Sequence, residues 1–173
     1  MKMKFIAAGV VMAAASFSAS ATDHLLGILD PTGSDTLSDV SQKFAQVGFA
    51  INDSWFFQLL TPSATSFGAQ QTFSVDLNAI TGFAGTLYSE DGKVNYGSFN
   101  SIIGAKTQEL SWGGPLAAGT YRVDIVGDTV ARNTQYTATV AALPVPEPET
   151  YAMLLGGLAL VGFAARRRIK GAV

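Results

Sequence analysis

A period-two alternation of apolar and polar residues is the feature that most constrains the fold of this chain. It appears in three runs, at residues 72–77, 121–126 and 135–140. In a β-strand this period places the apolar side chains on one face and the polar ones on the other, and only Val126 breaks the pattern. Helical periodicity is poor across the interior of the chain. We therefore expect strands, rather than helices, to build the core.

Further strands are predicted at residues 49–51, 54–60 and 82–88, with a shorter candidate at 108–112. Turn signals separate these segments. The signals are Thr61-Pro62-Ser63, Asp91-Gly92, Gly113-Gly114-Pro115 and Ala118-Gly119. Strands and turns at such spacing predict an all-β fold, a single antiparallel β-sandwich or jelly-roll-like domain. For residues 37–47 a helix and an edge strand both remain open.

The first 21 residues contain the three parts of a secretory signal peptide. These parts are the basic residues Lys2 and Lys4, an apolar stretch at 5–15 and the small residues Ala19 and Ala21. The apolar stretch is too short to cross a bilayer. We expect signal peptidase to cut after Ala21, and the alternative is a short buried helix.

A second apolar segment, residues 151–165, is followed directly by the basic residues Arg166, Arg167 and Arg168. A helix of this length measures about 22 Å, whereas the hydrocarbon core of a bilayer is about 30 Å thick. We predict a transmembrane helix of marginal length at about 150–165. Because Lys and Arg favour the cytoplasmic side of a membrane, the preceding chain would lie outside the inner membrane.

A proline-rich motif comes just before this apolar segment. The motif is Val145-Pro146-Glu147-Pro148-Glu149. Motif, apolar segment and arginine cluster, in this order, resemble the PEP-CTERM sorting signal of Gram-negative bacteria. The resemblance implies that an exosortase, a membrane protease, recognises Pro146, Glu147 and Pro148. It also implies that the apolar helix is a temporary tether and that the arginine cluster marks its inner boundary. The alternative is an ordinary C-terminal anchor behind a Pro-rich linker.

The expected organisation follows from these two ends. Residues 1–21 are a signal peptide, residues 22–144 an exported domain and residues 145–173 a sorting signal. Within the sorting signal, the motif occupies 145–149 and the basic tail 166–170.

Charge and cysteine content narrow the functions open to the middle region. Six of the 11 Lys and Arg, but only two of the 13 Asp and Glu, lie outside residues 22–145, so this region has a net charge of about −6. We therefore expect no basic surface that binds nucleic acid, and the negative charge disfavours the binding of other polyanions without a bridging cation. The chain has no cysteine, so its stability must come from a core, for which about 124 residues suffice.

Few residues are available for catalysis. His24 is the only histidine and lies close to the predicted mature N-terminus, where chains usually fray. Neither a Ser-His-Asp triad nor an ordinary zinc site is expected, so we predict no enzyme, no cofactor and no metal. Acidic residues occur at Asp30, Asp35 and Asp39 and at Glu90-Asp91. Solvated turn residues are favoured there over a calcium site, and a hydrolase that uses paired carboxylates stays open.

The middle region resembles a second family through the order of its apolar segments. These segments are Trp55-Phe56-Phe57-Gln58-Leu59, residues 71–77, Thr86-Leu87-Tyr88, residues 116–123 and a closing strand to Val140. In this order they are similar to bacterial pre-peptidase C-terminal β-sandwich domains, which accompany secreted hydrolases as non-catalytic modules. The resemblance implies a sandwich without catalytic residues.

Together these features predict an exported protein of the cell surface or the extracellular matrix, associated with biofilm or exopolysaccharide, in a structural or adhesive role. Its expected partners are signal peptidase, exosortase, transiently the inner membrane, and exopolysaccharide, but not nucleic acid. The alternative is a carbohydrate-binding accessory module in which Trp112 and Tyr96 stack on sugars, although aromatic residues of a sandwich more often belong to the core. A secreted hydrolase is the third hypothesis.

Overall fold

Ten β-strands form two five-stranded sheets in the computed structural model, which describes residues 20–30, 32–73, 79–145 and 152–162. The strands are β1 (Ser20–Leu29), β2 (Asp35–Val40), β3 (Ala50–Leu59), β4 (Ser63–Thr72), β5 (Thr81–Ser89), β6 (Asn95–Ser98), β7 (Asn100–Ile103), β8 (Thr107–Leu116), β9 (Gly119–Asp128) and β10 (Thr137–Pro144). One helix, α1, covers residues 152–162.

The two sheets divide the strands between them. The first has the order β1-β3-β9-β5-β6 and the second β2-β10-β4-β8-β7. All pairs are antiparallel except β1 with β3, which is parallel. This arrangement confirms the predicted all-β sandwich.

The core lies between the sheets because alternate residues of each strand point inward. In β3 the side chains of Ile51, Asp53, Trp55, Phe57 and Leu59 are buried, and the residues between them are not. Aromatic rings connect the two layers, as where the ring centroids of Phe57 and Phe67 of β4 lie 6.2 Å apart. The core therefore follows from the period-two pattern.

Most predicted strands are confirmed, and the Asp91-Gly92 turn joins β5 to β6 with Gly92 at φ 71°. One turn prediction is wrong, since residues 113–115 lie inside β8 rather than in a loop. The turn predicted at 61–63 is confirmed to within one residue, because β3 ends at Leu59 and β4 begins at Ser63. Of the two alternatives left open for residues 37–47, the edge strand forms, over residues 35–40. The strand predicted at 72–77 is not confirmed, because β4 ends at Thr72 and Phe73 lies outside any strand. The rest of that prediction falls within residues 74–78, which lie outside the described part.

The terminal predictions fall largely outside the described residues. The helix α1 agrees with the predicted apolar helix over residues 152–162, and within the described ranges no helix is long and apolar enough to cross a membrane. Ala19, Pro146, Glu147, Pro148 and the arginine cluster at 166–168 are not described. Ala21 belongs to β1, so the predicted cut would remove the first two residues of this strand.

Candidate functional site at the exit end of the sandwich

The chain leaves the sandwich at the end of β10, an interior strand of the second sheet. Strand β10 pairs with β2 and β4, and its last residue, Pro144, lies opposite Ser63. Leu143 and Val145 are exposed at this point. We call this end of the sandwich the exit end. The proline-rich motif at 145–149 therefore starts directly at the folded body.

Hydrogen bonds between neighbouring connections close the exit end. The amide of Leu60 donates to the carbonyl of Leu29 (3.0 Å). The hydroxyl of Tyr121 donates to the carbonyl of Ala117 (2.9 Å), and burial raises the pKa of this phenol. These bonds fix the loops around the last residues of β10. The motif therefore follows directly on a part of the sandwich that has a defined conformation.

Carboxylates at the exit end are engaged in local structure. Asp91 accepts hydrogen bonds from the Ser89 hydroxyl (2.7 Å) and forms an ion pair with Lys93 (2.8 Å), and these contacts lower the pKa of its carboxyl. Asp35 accepts a hydrogen bond from the Asp30 amide (3.1 Å). Asp35 and Asp39 lie in β2, not in the expected loop, and Asp39 is near the other end of that strand. No group of three potential metal ligands occurs within the described ranges.

The helix α1 presents apolar side chains on all sides. Each of its residues is exposed, and Met153, for example, is 79% exposed. Burying one such large apolar side chain contributes about 1.5–3 kcal/mol, so this helix favours an apolar surrounding. Seven residues, 145–151, separate it from β10. They span at most about 25 Å, so the exit end can lie no farther than this from the start of α1.

A second group of polar side chains lies inside the sandwich rather than at an end. The hydroxyl of Tyr136 donates to Asp53 Oδ2 (2.6 Å) and accepts a hydrogen bond from the indole N–H of Trp55 (2.9 Å). Burial raises the pKa of the Asp53 carboxyl and of the Tyr136 phenol. All three side chains are essentially inaccessible to solvent. This group therefore stabilises the core and does not reach a substrate.

The expectation that His24 lies in a frayed N-terminus is wrong. It lies in β1, and its ring stacks on Trp55 with centroids 4.0 Å apart and planes inclined by 10°. Its Nε2 is 3.9 Å from Asp53 Oδ2. Neither His24 Nε2 nor Asp53 Oδ1 has a hydrogen-bond partner in the described part of the chain. The sequence analysis did not identify Asp53 as a buried polar residue. Its position among the inward-facing residues of β3 would have indicated this.

Trp112 and Tyr96 lie next to each other, as a joint site would require. The indole N–H of Trp112 donates to the carbonyl of Tyr96 (3.2 Å), and the Trp112 ring is half-buried against Gly114. The Tyr96 side chain is 39% exposed, and its ring meets Tyr121 edge-on at 5.5 Å. Tyr96 is therefore the more accessible ring of the two. Sugar stacking at this pair stays a prediction.

A family model described as the PEP-CTERM protein-sorting motif matches residues 144–168. The chain carries a PEP-CTERM motif. It is accordingly an exported protein that an exosortase processes and that is anchored in the membrane transiently before processing. The match begins at Pro144, the last residue of β10, so the PEP-CTERM motif and the sandwich share a boundary.

Solved structures provide a separate comparison for this chain. The pre-peptidase C-terminal domain of a collagenase from Bacillus anthracis is 10% identical, with a TM-score of 0.45, over 71% of this chain and 96% of that one. The globular domain of the zebrafish complement 1qA protein is 12% identical, with a TM-score of 0.33, over 66% and 98%. A β-glucosidase from Paenibacillus barengoltzii is 12% identical, with a TM-score of 0.30, over 73% and 12%. No curated protein matches this sequence.

Proposed function

We propose that this PEP-CTERM protein is a structural or adhesive component of the cell surface or the extracellular matrix, and that it acts without catalysis. In this proposal signal peptidase removes residues 1–21, exosortase removes the tail after the PEP motif, and the sandwich is the final product. After its release, the domain is proposed to be associated with exopolysaccharide.

The observation that carries the proposal is the shared boundary of the sandwich and the sorting motif. Strand β10 ends at Pro144, where the motif begins. A cut within the motif would leave every strand of the sandwich intact. The only described histidine, His24, is engaged with Trp55 inside the sandwich, which supports a structural use of this side chain rather than a catalytic one.

The intact mass of the protein recovered from culture medium tests the proposal. We expect a chain that starts at residue 22 and ends within or just after 145–149, with any added glycan or lipid visible as extra mass. Recovery of exported protein with residues 150–173 still attached, from cells that carry an exosortase, contradicts it.

Carbohydrate binding at Trp112 and Tyr96 is a second candidate function, favoured by the exposure of the Tyr96 ring beside the anchored indole. Affinity electrophoresis in matrix polysaccharide tests this function. Tyr96→Ala should weaken retardation, and thermal unfolding of the variant measures the separate cost of losing the contact between the Tyr96 and Tyr121 rings. Absence of retardation for the wild-type protein removes the candidate.

A further inference from the structure

Three of the five basic residues in the sandwich have no acidic partner among the residues that the structure describes. Lys93 is paired with Asp91, and Arg122 donates to Asp124 (3.0 Å). Lys43, Lys106 and Arg132 form no ion pair with any described carboxylate, and all three are exposed.

The fold brings the backbone of these three residues to the same end of the sandwich, opposite the exit end. We call it the distal end. Phe44, next to Lys43, donates its amide hydrogen to the carbonyl of Thr134 (2.8 Å). The amide of Phe73 donates to the carbonyl of Lys106 (2.9 Å). Thr134 and Phe73 both line a polar groove of about 180 Å³, and Arg132 lines it directly.

The groove has a rigid wall with polar groups. Asn133 has a positive φ of 58°, and the Thr134 hydroxyl donates to the carbonyl of Ala131 (2.9 Å), which closes the turn that carries Arg132. Asn133 and Gln135 add side-chain amides to the lining. Amides bind sugar hydroxyls, and a guanidinium can bind a carboxylate through two parallel hydrogen bonds.

The distal end lies opposite the end of the sandwich at which the sorting motif starts. Strand β10 begins at Thr137, next to the groove, and ends at Pro144, where the sorting motif starts. Its eight residues separate the two ends by about 25 Å. The start of the sorting motif therefore does not cover the distal end.

We propose that the groove at the distal end binds an acidic glycan, with Arg132, Lys43 and Lys106 contacting its anionic groups. This inference extends the proposed function, because it assigns a ligand class to the matrix-associated domain. It also changes the expectation from net charge. The domain is negative as a whole, and Asp39, Glu109 and Asp128 lie at or near the same end, yet the three cations without an ion pair among the described residues are found here as well.

The test uses the full chain purified in a neutral detergent, so that it does not depend on exosortase processing. The probes for affinity electrophoresis are polygalacturonate, dextran sulfate and uncharged dextran, with single-stranded DNA as a competitor. We expect retardation by polygalacturonate, by dextran sulfate or by both, which separates a carboxylated from a sulfated source, and none by uncharged dextran.

Arg132→Gln should weaken this binding about threefold, and the triple change of Arg132, Lys43 and Lys106 to Gln about thirtyfold. The matched control is Lys93→Gln, which removes one exposed charge at the exit end and should leave binding unchanged. Arg132→Lys, which retains the charge, should restore part of the affinity.

Three results overturn the proposal. The first is equal migration of the protein in polygalacturonate, dextran sulfate and uncharged dextran. The second is an equal loss of binding in Lys93→Gln and Arg132→Gln. The third is displacement of the glycan from the protein by single-stranded DNA at the same concentration as the glycan. Thermal unfolding of each variant establishes that a loss of binding is not a loss of fold. An unprocessed tail in culture medium contradicts the proposed function but not this inference.

Discussion

The hydroxyl of Tyr136 lies 2.6 Å from Asp53 Oδ2 in the interior of the sandwich, and it connects the two sheets. Asp53 belongs to β3 of the first sheet, while Tyr136 directly precedes β10 of the second. Since the same hydroxyl accepts a hydrogen bond from Trp55, one oxygen satisfies two buried polar groups.

Tyr136→Phe should destabilise the protein by about 2–4 kcal/mol, because it leaves the Trp55 N–H and a carboxylate oxygen of Asp53 buried without this partner. Chemical denaturation measures the free energy of unfolding. The matched control is Tyr88→Phe, whose hydroxyl makes no hydrogen bond among the described residues, and it should change stability by less than about 0.5 kcal/mol. Equal effects of the two substitutions would show that the Tyr136 hydroxyl is not a structural link.

Asp53 should give the folded protein a distinctive dependence on pH. Burial raises the pKa of its carboxyl above the unfolded value of about 4, despite the hydrogen bond from Tyr136 and the proximity of His24. The folded state then binds the Asp53 proton more tightly than the unfolded state. Its contribution to the free energy of unfolding is fully present below about pH 4 and is lost as pH rises through the folded pKa.

Asp53→Asn removes this titration, so the stability difference between wild type and variant should fall as pH rises from about 4. Denaturation curves between pH 3.5 and 7 measure the difference. The control is Asp39→Asn, which removes an exposed carboxyl from the edge strand β2. A difference for Asp53→Asn that rises with pH would mean that burial does not dominate the environment of this carboxyl.

Gly127 should not tolerate a side chain. A Cβ atom at this position would lie 2.5 Å from Ile80 Cγ2 and 3.3 Å from the Thr81 carbonyl oxygen, and Ile80 is buried. Gly127→Ala should therefore cost about 1–3 kcal/mol through overpacking. Gly33→Ala, with no atom within 4 Å of the new Cβ, should be close to neutral in the same denaturation assay. Comparable unfolding midpoints for the two variants would contradict the close packing of β9 on Ile80.

The sandwich was predictable because the alternation reports directly which face of each strand is buried. Strand β4 escaped prediction because seven of its ten residues are Ser, Ala, Gly or Gln, so that Phe67 is its only large apolar residue. The cluster at the distal end could not be predicted, since Lys43, Lys106 and Arg132 are far apart in sequence. Strand pairing brings them together, and local patterns do not determine it.

The sorting motif was predictable for the opposite reason, because its parts are contiguous and need no fold to be recognised. Replacing Pro146, Glu147 and Pro148 by Ala should prevent processing, since it removes the residues that the exosortase is expected to read. In an exosortase-containing host the variant should stay in the membrane fraction at the mass of the chain with its tail. The control, Pro115→Ala, changes an exposed proline of β8 and should be processed like wild type. Release of the Pro146-Glu147-Pro148 variant into the medium at the wild-type mass would show that a different feature directs the cut.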